Sequence, residues 1–220
     1  MKTAVITGAN RGIGLAMATQ LSQQGWEIIG VCRSDSDELE AIAGMVISGI
    51  DVTDPEHLQQ VKKILGDTKI DLLINNAGLL QDEKLGEIDY DSIRDQFEIN
   101  TLAPLMVTEA LLPNMSEGSK VALITSRMGS IADNESGGRY GYRASKAALN
   151  AFGKSLSLDL KDDGIAVALL HPGYVQTRMV NFGGHITPEE AAEGLLARID
   201  ELNLENTGGF WHSNGEQLPW

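Results

Sequence analysis

Short apolar runs alternate with longer amphipathic stretches along this chain. The runs consist mainly of Val, Ile, Leu and Ala, as in strands that a sheet buries on both faces. They cover residues 3–7, 26–32, 71–75, 120–125 and 165–171. Two intervening stretches carry helix signals: residues 13–25 end at a glycine, and residues 55–65 open with a proline after a capping aspartate. Strands that alternate with helices predict a doubly wound parallel α/β sheet with helices on both faces.

Length and composition restrict the class of protein. The 220 residues are 42% hydrophobic, which excludes disorder and allows a sizeable core. No internal repeat, low-complexity tract or linker rich in proline and serine interrupts the chain, so residues 1–220 are predicted to form a single domain. The net charge of −14 disfavours nucleic acids and anionic membrane surfaces as partners, because both are negatively charged. This charge suits a protein that acts on small molecules.

The cysteine count, the N-terminal residues and the lengths of the apolar runs indicate the compartment, and the histidines bear on metal binding. Cys32 is the single cysteine, which excludes an internal disulfide and agrees with a reducing cytoplasm. The segment MKTAVITGAN reaches glycine and polar residues too early for the apolar core of a signal peptide. No apolar run approaches the roughly 20 residues that a membrane helix requires. These three features predict a soluble cytoplasmic protein. The four histidines show no metal-ligand spacing, so no metal site is predicted.

The first apolar run leads directly into a glycine-rich segment, TGANRGIG, at residues 7–14. Gly8, Gly12 and Gly14 follow a predicted strand and open a predicted helix, which is the context of a dinucleotide-binding turn in a Rossmann-type domain. Glycines let the backbone turn sharply and approach a pyrophosphate, and the helix N-terminus offers free N–H groups. The spacing G-x-x-x-G-x-G differs from the commoner G-x-G-x-x-G, so an ordinary glycine-rich turn remains the alternative.

Further motifs follow the glycine turn in order. They are Asp51-Val52, NNAG at 75–78, Asn100 in FEIN, Ser126 in LITS, Tyr142 and Lys146 in Y-x-x-x-K, and HPGYVQT at 171–177. Together with the glycine turn they resemble, in order and rough spacing, the short-chain dehydrogenases/reductases. The sequence SRMGSIAD, the short segment after residue 177 and the ending GEQLPW resemble the small carbonyl reductases of the Sniffer and C-factor type within that family.

The resemblance implies that the chain binds a nicotinamide dinucleotide. Asp51 and Val52 resemble the family's adenine contact, and residues 172–177 resemble the segment that lies against the nicotinamide. Thr177 is expected to hold the carboxamide, although a threonine after a Pro-Gly turn is equally suited to cap a helix. The residues implied in cofactor binding are Gly8, Asn10, Arg11, Gly12, Ile13, Gly14, Arg33, Asp51, Val52, Asn76, Ala77, Gly78, Tyr142, Lys146, Pro172, Gly173, Val175 and Thr177.

Residues 140–146, YGYRASK, contain two tyrosines, and only Tyr142 has a lysine four residues later. This step places Tyr142 and Lys146 on one face of a helix, whereas Tyr140 has an alanine at that position. A free phenol has a pKa of about 10. A nearby cation and the positive charge of oxidised nicotinamide both lower that pKa toward the range useful for proton exchange. We therefore predict that Tyr142 donates the proton and that Lys146 lowers its pKa and holds the nicotinamide ribose. A half-buried tyrosine beside a solvated lysine is the alternative.

Two further polar residues complete the implied catalytic set. Ser126 directly follows an apolar run, as the family's serine does, and is expected to polarise the carbonyl oxygen through a hydrogen bond. Its alternative role is to cap the next turn, and Ser130 is the rival candidate. Asn100 resembles the residue that holds a water between the lysine and solvent, a role compatible with kinking its own helix. The set predicts the reversible reduction of a ketone, aldehyde or quinone to an alcohol.

The end of the second apolar run bears on the choice between NADP and NAD. An acidic side chain there accepts from the ribose hydroxyls of NAD and repels a 2′-phosphate. Here the position is Cys32, followed by Arg33, and Arg11 lies in the glycine turn. Two arginines can bind a 2′-phosphate through charge-assisted hydrogen bonds, so NADP(H) is favoured over NAD(H). Asp35 lies close in sequence and keeps the opposite choice open, with both arginines as surface charges.

Two segments depart from the usual lengths in the family. Fifteen residues separate Ser126 from Tyr142, and the additional ones fall around ADNESGGR at 132–139. This loop either lines the substrate entrance or is a solvated surface loop. The segment from Arg178 to the next helix start at Thr187 is short, which indicates an open pocket and broad carbonyl specificity.

The resemblance to the C-factor type leaves a second class of function open, a cofactor-binding signalling or interaction protein. An intact Ser-Tyr-Lys set favours chemistry, because a sensor has no need of a proton donor. The resemblance also implies a homodimer or homotetramer, paired through the helices that follow FEIN and YGYRASK.

Overall fold

A computed structural model describes residues 1–220. Its strands are β1 (Thr3–Thr7), β2 (Glu27–Val31), β3 (Met45–Ile47), β4 (Leu72–Asn75), β5 (Lys120–Ile124), β6 (Ala166–His171) and β7 (Gly209–His212). All pair in parallel and form one seven-stranded sheet in the order β3-β2-β1-β4-β5-β6-β7. The predicted doubly wound parallel sheet is confirmed, and the five predicted strands are its central members.

The helices are α1 (Gly12–Gln23), α2 (Asp37–Glu40), α3 (Pro55–Leu65), α4 (Tyr90–Phe97), α5 (Ala103–Leu111), α6 (Tyr140–Asp159) and α7 (Pro188–Glu201). Helix α3 has its predicted bounds, and Asp54 caps it by accepting a hydrogen bond from Glu56 N. Helix α7 begins after Thr187 as predicted, and Thr187 forms a capping box with Glu190. None of the helices is both long enough and apolar enough to span a bilayer.

Apolar side chains cover both faces of the sheet. Successive residues of a strand point to opposite faces, which divides the core into two clusters. Ile6 and Ile74 belong to a cluster of 22 buried residues that includes side chains of α1 and α7. Val5 and Leu73 belong to a cluster of 19 buried residues that includes side chains of α3, α5 and α6. Burial on both faces explains why the central strands read as nearly continuous apolar runs.

The two strands that the sequence did not predict lie at the edges of the sheet. Strand β3 has only three residues, and its Met45 is exposed. Strand β7, with the sequence GFWH, is also short. Each pairs with a single neighbouring strand. Short, partly exposed edge strands are common, and they leave no apolar pattern long enough to predict.

The strand order reverses at β1, which pairs with β2 on one side and β4 on the other. Connections that leave β1 and β4 in opposite directions open a crevice at the carboxyl ends of the strands, which is where such sheets bind ligands. The glycine turn follows β1, residues 76–78 follow β4, Ser126 follows β5 and residues 172–177 follow β6. The topology therefore brings the predicted motifs to one edge of the sheet.

Candidate active site

The glycine turn packs against the segment that follows β4. Gly8 and Gly12 have φ angles of +66° and +54°, a region that favours glycine. A Cβ on Gly14 would lie 2.3 Å from the Gly8 carbonyl oxygen and 2.5 Å from Asn76 Nδ2, so no larger residue fits there. Asn76 Nδ2 donates to the carbonyl oxygens of Thr7 and Gly8 at 3.0 and 3.2 Å. The structure thus brings two predicted cofactor motifs into contact.

The first turn of α1 has the chemistry of an anion site. Arg11 precedes the helix with an extended backbone, and no side chain caps the N–H groups of the first turn. The turn contains no acidic residue. Free N–H groups at a helix N-terminus bind phosphate, so residues 12–14 provide donors suited to a pyrophosphate. Asn10 lies in the glycine turn just before this helix, and its Nδ2 is 3.5 Å from Ser34 Oγ in the loop after β2.

Two arginines lie near the end of β2. Arg11 and Arg33 are exposed, and neither has a carboxylate oxygen within 4.0 Å. Cys32 is buried, and burial followed by the charge of Asp35 raises the pKa of its thiol. The residue after β2 therefore carries no charge, while both a carboxylate and two free guanidinium groups lie nearby.

Asp51 and Val52 follow β3 at the same edge of the sheet. Asp51 Oδ1 accepts from Thr53 N at 3.0 Å and from Thr53 Oγ1 at 2.7 Å, and these bonds lower the pKa of Asp51. The positive charge of Arg33 contributes in the same direction. Val52 is partly buried and packs against the core cluster of 19 buried residues. The position of this pair near Arg33 agrees with its predicted place at the adenosine end of a cofactor.

Tyr142 is the third residue of α6 and is 9% exposed, whereas Tyr140 is 40% exposed. Lys146 lies one turn later, and its Nζ is 5.9 Å from the centroid of the Tyr142 ring. Lys146 is 5% exposed, and its Nζ donates to the carbonyl oxygen of Ile124 at 2.9 Å. The structure therefore places both side chains on one buried face of the helix. The alternative of a solvated lysine is wrong.

The pKa shifts of this pair differ from the expectation from the sequence. Burial raises the pKa of Tyr142, and the Ser126 side chain and the Arg139 charge offset this rise only in part. Burial also lowers the pKa of Lys146 to about 7. The predicted lowering of the Tyr142 pKa by Lys146 is therefore wrong in this structure. Desolvation disfavours both charged forms, and residue spacing does not reveal how deeply the two groups are buried.

Ser126 lies two residues after the end of β5 and is buried. Its Oγ accepts a hydrogen bond from Met128 N at 3.1 Å and so caps the 3₁₀ turn that follows. Capping uses an oxygen lone pair and leaves the hydroxyl hydrogen free to donate, so the two roles considered for this serine are compatible. The Oγ of Ser130 accepts from Asp133 N at 3.1 Å, in the next loop. Of the two serines, Ser126 is the one whose side chain affects the pKa of Tyr142.

Asn100 lies in a π-helical turn between α4 and α5. Its Oδ1 accepts from Leu79 N at 2.8 Å, and its Nδ2 donates to the Leu79 carbonyl oxygen at 2.7 Å and to Ser145 Oγ at 3.0 Å. The expected helix kink is thus present as a π turn, a feature frequent at functional sites. A Cβ on Gly78 would lie 3.2 Å from Asn100 Oδ1 and 3.8 Å from Lys146 Nζ. The NNAG motif, the asparagine and the lysine therefore meet.

Residues 172–177 extend from the end of β6 toward the glycine turn. Gly173 has a φ of +95°, and Val175 is buried. The Thr177 methyl group lies 3.5 Å from the position of a Cβ on Gly12. Thr177 precedes a 3₁₀ turn, but its side chain caps no N–H group of that turn. The helix-cap alternative is therefore wrong, and the threonine hydroxyl is available to a ligand.

Two polar residues near the site were absent from the predictions. Thr7 Oγ1 accepts from Asn76 N at 3.0 Å and from Ala77 N at 3.1 Å, which fixes the NNAG segment beside the glycine turn. Glu83, in the loop after β4, is buried and accepts a hydrogen bond from Gly141 N in α6. The position of Thr7 at the start of the glycine motif was a usable signal. Glu83 lies in a polar loop, and no pattern distinguishes it there.

The loops after β5 and β6, together with the first residue of α6, carry exposed apolar side chains, namely Ile131, Tyr140, Tyr174, Met179 and Phe182. Residues 132–139 are mostly exposed but attached at both ends. Ala132 N donates to the Trp220 carbonyl oxygen at 3.0 Å, and Arg139 pairs with Asp82. Both interpretations of this loop are compatible with these contacts: it either lines the substrate entrance or is a solvated surface loop.

Residues 2–184 match the family described as short chain dehydrogenase. The chain belongs to this family. The 1-hydroxy-2-glutathionyl-2-methyl-3-butene dehydrogenase of Rhodococcus sp. (strain AD45) is 43% identical over 226 residues, covering 100% of both chains. The C-signal protein of Myxococcus xanthus is 46% identical over 154 residues, covering 69% of this chain and 93% of that protein.

Solved structures of carbonyl reductases share the fold. A carbonyl reductase from Pseudomonas aeruginosa PAO1 in complex with NADP is 34% identical with a TM-score of 0.88, and the match covers 100% of both chains. The carbonyl reductase Sniffer of D. melanogaster is 27% identical with a TM-score of 0.87, again over 100% of both chains. The resemblance inferred from the motifs, to this family and to its Sniffer and C-factor types, is confirmed.

Proposed function

We propose that this protein is an NADPH-dependent oxidoreductase that reversibly reduces a ketone, aldehyde or quinone to an alcohol. The observation that carries the proposal is the meeting of Ser126, Tyr142, Lys146 and Asn100 beside the glycine turn. Lys146 and Asn100 both approach Gly78, and the Ser126 side chain affects the Tyr142 phenol. The similarity to carbonyl reductases, one of them in complex with NADP, supports the proposal.

The residues present fit a nicotinamide dinucleotide. The uncapped first turn of α1 is suited to the pyrophosphate, and the free hydroxyl of Thr177 is suited to the carboxamide. Asp51 and Val52 would contact the adenine, and Lys146 the nicotinamide ribose. When bound, the nicotinamide supplies the hydride that is added to the carbonyl carbon. The protein residues must then orient the carbonyl group and deliver one proton.

Tyr142 is assigned as the proton donor to the carbonyl oxygen. Burial raises the pKa of its phenol, which therefore keeps its proton at neutral pH, the form that reduction requires. The free hydroxyl hydrogen of Ser126 donates to the same oxygen and stabilises the negative charge that develops there. Lys146 Nζ, with a pKa of about 7, can hold or release a proton near neutral pH. We assign to it the return of a proton to Tyr142.

The preference for NADPH rests on Arg11 and Arg33, which are exposed and without a carboxylate partner. A 2′-phosphate would pair with both through charge-assisted hydrogen bonds. The adjacent Cys32 offers no carboxylate to the ribose hydroxyls of NADH. Asp35 is close enough for its charge to raise the pKa of Cys32, and this nearby carboxylate is the feature that would favour NADH instead.

A second substrate class is favoured by one relative and one side chain. The Rhodococcus relative is named for a glutathionyl substrate, and it matches this chain over its full length. A glutathione adduct carries carboxylates. Arg178 directly follows Thr177, is exposed and has no carboxylate oxygen within 4.0 Å. We therefore add glutathione adducts that bear a carbonyl or hydroxyl group to the candidate substrates.

The test is to offer the protein a panel of aldehydes, ketones, quinones and a carbonyl-bearing glutathione adduct. Turnover of each compound is measured as the loss of NADPH absorbance. The native protein should turn over members of at least one class, and Tyr142→Phe should do so roughly 10²-fold more slowly or worse. If the protein binds NADPH but turns over no member of the panel, the proposal fails. The similarity to C-signal would then favour the alternative of a cofactor-binding signalling protein.

A further inference from the structure

We propose that Glu83 is a positioning residue that holds Tyr142 in its reactive place through the first turn of α6. This inference rests on the proposed function, because it assigns to Glu83 an effect on the proton donor. Glu83 is 3% exposed, although the residues on both sides of it are exposed. Burial of an unpaired charge is costly, so a buried carboxylate in a polar loop must be stabilised by hydrogen bonds or an ion pair.

The carboxylate of Glu83 accepts hydrogen bonds from two different helices. Its Oε1 accepts from Ser92 Oγ at 2.9 Å and from Gln96 Nε2 at 2.5 Å, both in α4. Its Oε2 accepts from Gly141 N at 3.1 Å. Gly141 is the second residue of α6, and Tyr142 is the third. The carboxylate therefore joins α4 to the backbone directly before the tyrosine.

Helix α6 has no cap from its own sequence. Arg139, which precedes it, has a φ of +50°, and its side chain caps no N–H group. Arg139 N donates instead to the Glu83 carbonyl oxygen at 3.1 Å. Backbone and side chain of Glu83 thus both supply acceptors at this helix N-terminus, where a negative charge is favourable. A Cβ on Gly141 would lie 2.9 Å from Glu83 Oε1 and 2.6 Å from Gln96 Nε2, so glycine permits the close approach.

The loop that carries Glu83 is fixed at its other end to the catalytic asparagine. Leu79 exchanges two backbone hydrogen bonds with the Asn100 side chain. The short segment from Leu79 to Glu83 therefore connects Asn100 to the start of α6. If Glu83 lost its hold on α6, Tyr142 would be free to move relative to Asn100, while the glycine turn on the other side of the site would be unaffected.

The donors around position 83 require a side chain that accepts hydrogen bonds at both of its terminal atoms, as a carboxylate does. Gly141 N–H is a backbone donor and cannot reverse. Gln96 cannot turn its Oε1 toward Glu83 without loss, because that oxygen accepts from Gln81 N at 3.0 Å. Glu83→Gln keeps the size of the side chain but places an NH₂ group opposite one of these donors. We expect the start of α6 to shift, since an unmatched buried donor costs more than the bond it replaces is worth.

The experiment compares Glu83→Gln with Glu87→Gln, the same change at an exposed position of the same loop. For Glu83→Gln we expect kcat per NADPH-binding molecule to fall about 10- to 100-fold and the Kd for NADPH to stay within about twofold, because small misplacements of catalytic groups slow chemistry strongly. Glu87→Gln should match the native protein in both quantities. A purely structural role predicts fewer folded molecules, each with the native kcat.

A charge-conserving exchange, Glu83→Gln combined with Gln96→Glu, tests the hydrogen-bond pattern itself. The new amide at position 83 accepts from Gly141 N and donates to the new carboxylate, which still accepts from Gln81 N. We expect this double variant to recover most of the lost kcat. If the single variant does not fold, the double variant decides alone. A folded, NADPH-binding double variant with a kcat at least about 10-fold below native overturns the proposal.

The two proposals fail in different ways. If the native protein turns over no carbonyl compound, the proposed function fails and the role of Glu83 fails with it. If the native protein is active and Glu83→Gln has the same kcat as Glu87→Gln, only the positioning role is overturned.

Discussion

The proposed cofactor side and the proposed substrate side of the crevice are lined by different kinds of chemical groups. On the cofactor side, between β1 and β4, the surface consists mainly of backbone groups and small residues. Gly14 has no room for a Cβ, and Asn76 binds the carbonyl oxygens of the turn. On the substrate side, the loops after β5 and β6 present large exposed side chains. Ile131 is 81% exposed and Phe182 is 67% exposed.

This difference indicates which side can vary. A backbone cradle with no spare volume admits one ligand chemistry and tolerates few replacements, whereas side chains on surface loops can change without loss of the fold. Phe182 even has a φ of +59°, an unusual backbone conformation for a bulky residue. We therefore expect changes on the cofactor side to affect all substrates alike and changes on the substrate side to alter their ranking. Tyr142 lies where the two sides meet.

The largest effect should come from Tyr142→Phe, which removes one oxygen at the junction of the two sides. If Tyr142 is the proton donor, kcat should fall by roughly 10²-fold or more, the range for general acid catalysis. The Kd for NADPH should change far less, because the phosphates are assigned to the glycine turn and the arginines. Steady-state rates and NADPH fluorescence titration measure the two quantities separately.

The matched control is Tyr140→Phe, two residues earlier in the same helix. Tyr140 is 40% exposed and has no lysine one turn later, so kcat should stay within a few-fold of native. Equal activity of the two tyrosine variants would contradict the assignment. Normal biological function of Tyr142→Phe would favour the signalling alternative.

Arg33→Asp tests the chemical selectivity of the cofactor side. The change replaces a cation by an acidic residue, the type that Rossmann-type domains use to bind the ribose hydroxyls of NAD. Loss of one charge-assisted contact to the 2′-phosphate should cost about 1.5–3 kcal/mol of NADPH binding. The dissociation constants of NADPH and NADH should therefore converge or reverse in order. Equal affinities in the native protein would show that Arg11 and Arg33 are only surface charges.

The two sides also differ in how far the sequence predicts them. The glycine turn, NNAG and Y-x-x-x-K are local patterns whose geometry follows from a strand or a helix, and the structure places them together. Glu83 depends on a contact between segments far apart in the sequence, so no local pattern reveals it. The raised pKa of Tyr142 was missed for the same reason, since burial is a property of the whole fold.

Lys146 gives a pH dependence of stability with a defined sign. Its pKa is about 7 in the folded protein, against 10.5 for an unperturbed lysine. Between these values the unfolded chain binds more protons, so this group makes the folded protein more stable as pH rises. From pH 7 to 9 the free energy of unfolding, measured in urea without nucleotide, should rise by up to about 2 kcal/mol more in the native protein than in Lys146→Met.

The control for this measurement is Lys154→Met, an exposed lysine of the same helix. It should show the native pH dependence. Lys120, whose pKa is also lowered by burial, contributes equally to all three proteins and cancels in the comparison. Identical slopes for the native protein and Lys146→Met would mean that the ammonium group is better solvated than its surroundings indicate.

The smallest effect should come from the tip of the loop at residues 134–138 on the substrate side. Arg143, in α6, attaches this tip by donating to Ser136 Oγ at 2.8 Å and to the Gly137 carbonyl oxygen at 3.3 Å. Replacement of the tip by a Gly-Ser pair would preserve the ion pairs Arg127–Asp133 and Arg139–Asp82 at its two ends. The fold and the cofactor side should therefore remain intact.

If the loop borders the entrance, its shortening should change the ratio of kcat/KM for bulky over small carbonyl compounds by about two- to tenfold, the size of one or two lost contacts. The Kd for NADPH should not change, because no residue of the tip belongs to the cofactor motifs. Arg143→Met provides the matched variant: it releases the tip without shortening it and should shift the ratio in the same direction by a smaller factor. An unchanged ratio in both variants would make residues 134–138 a surface loop and confine substrate selection to the segment after β6.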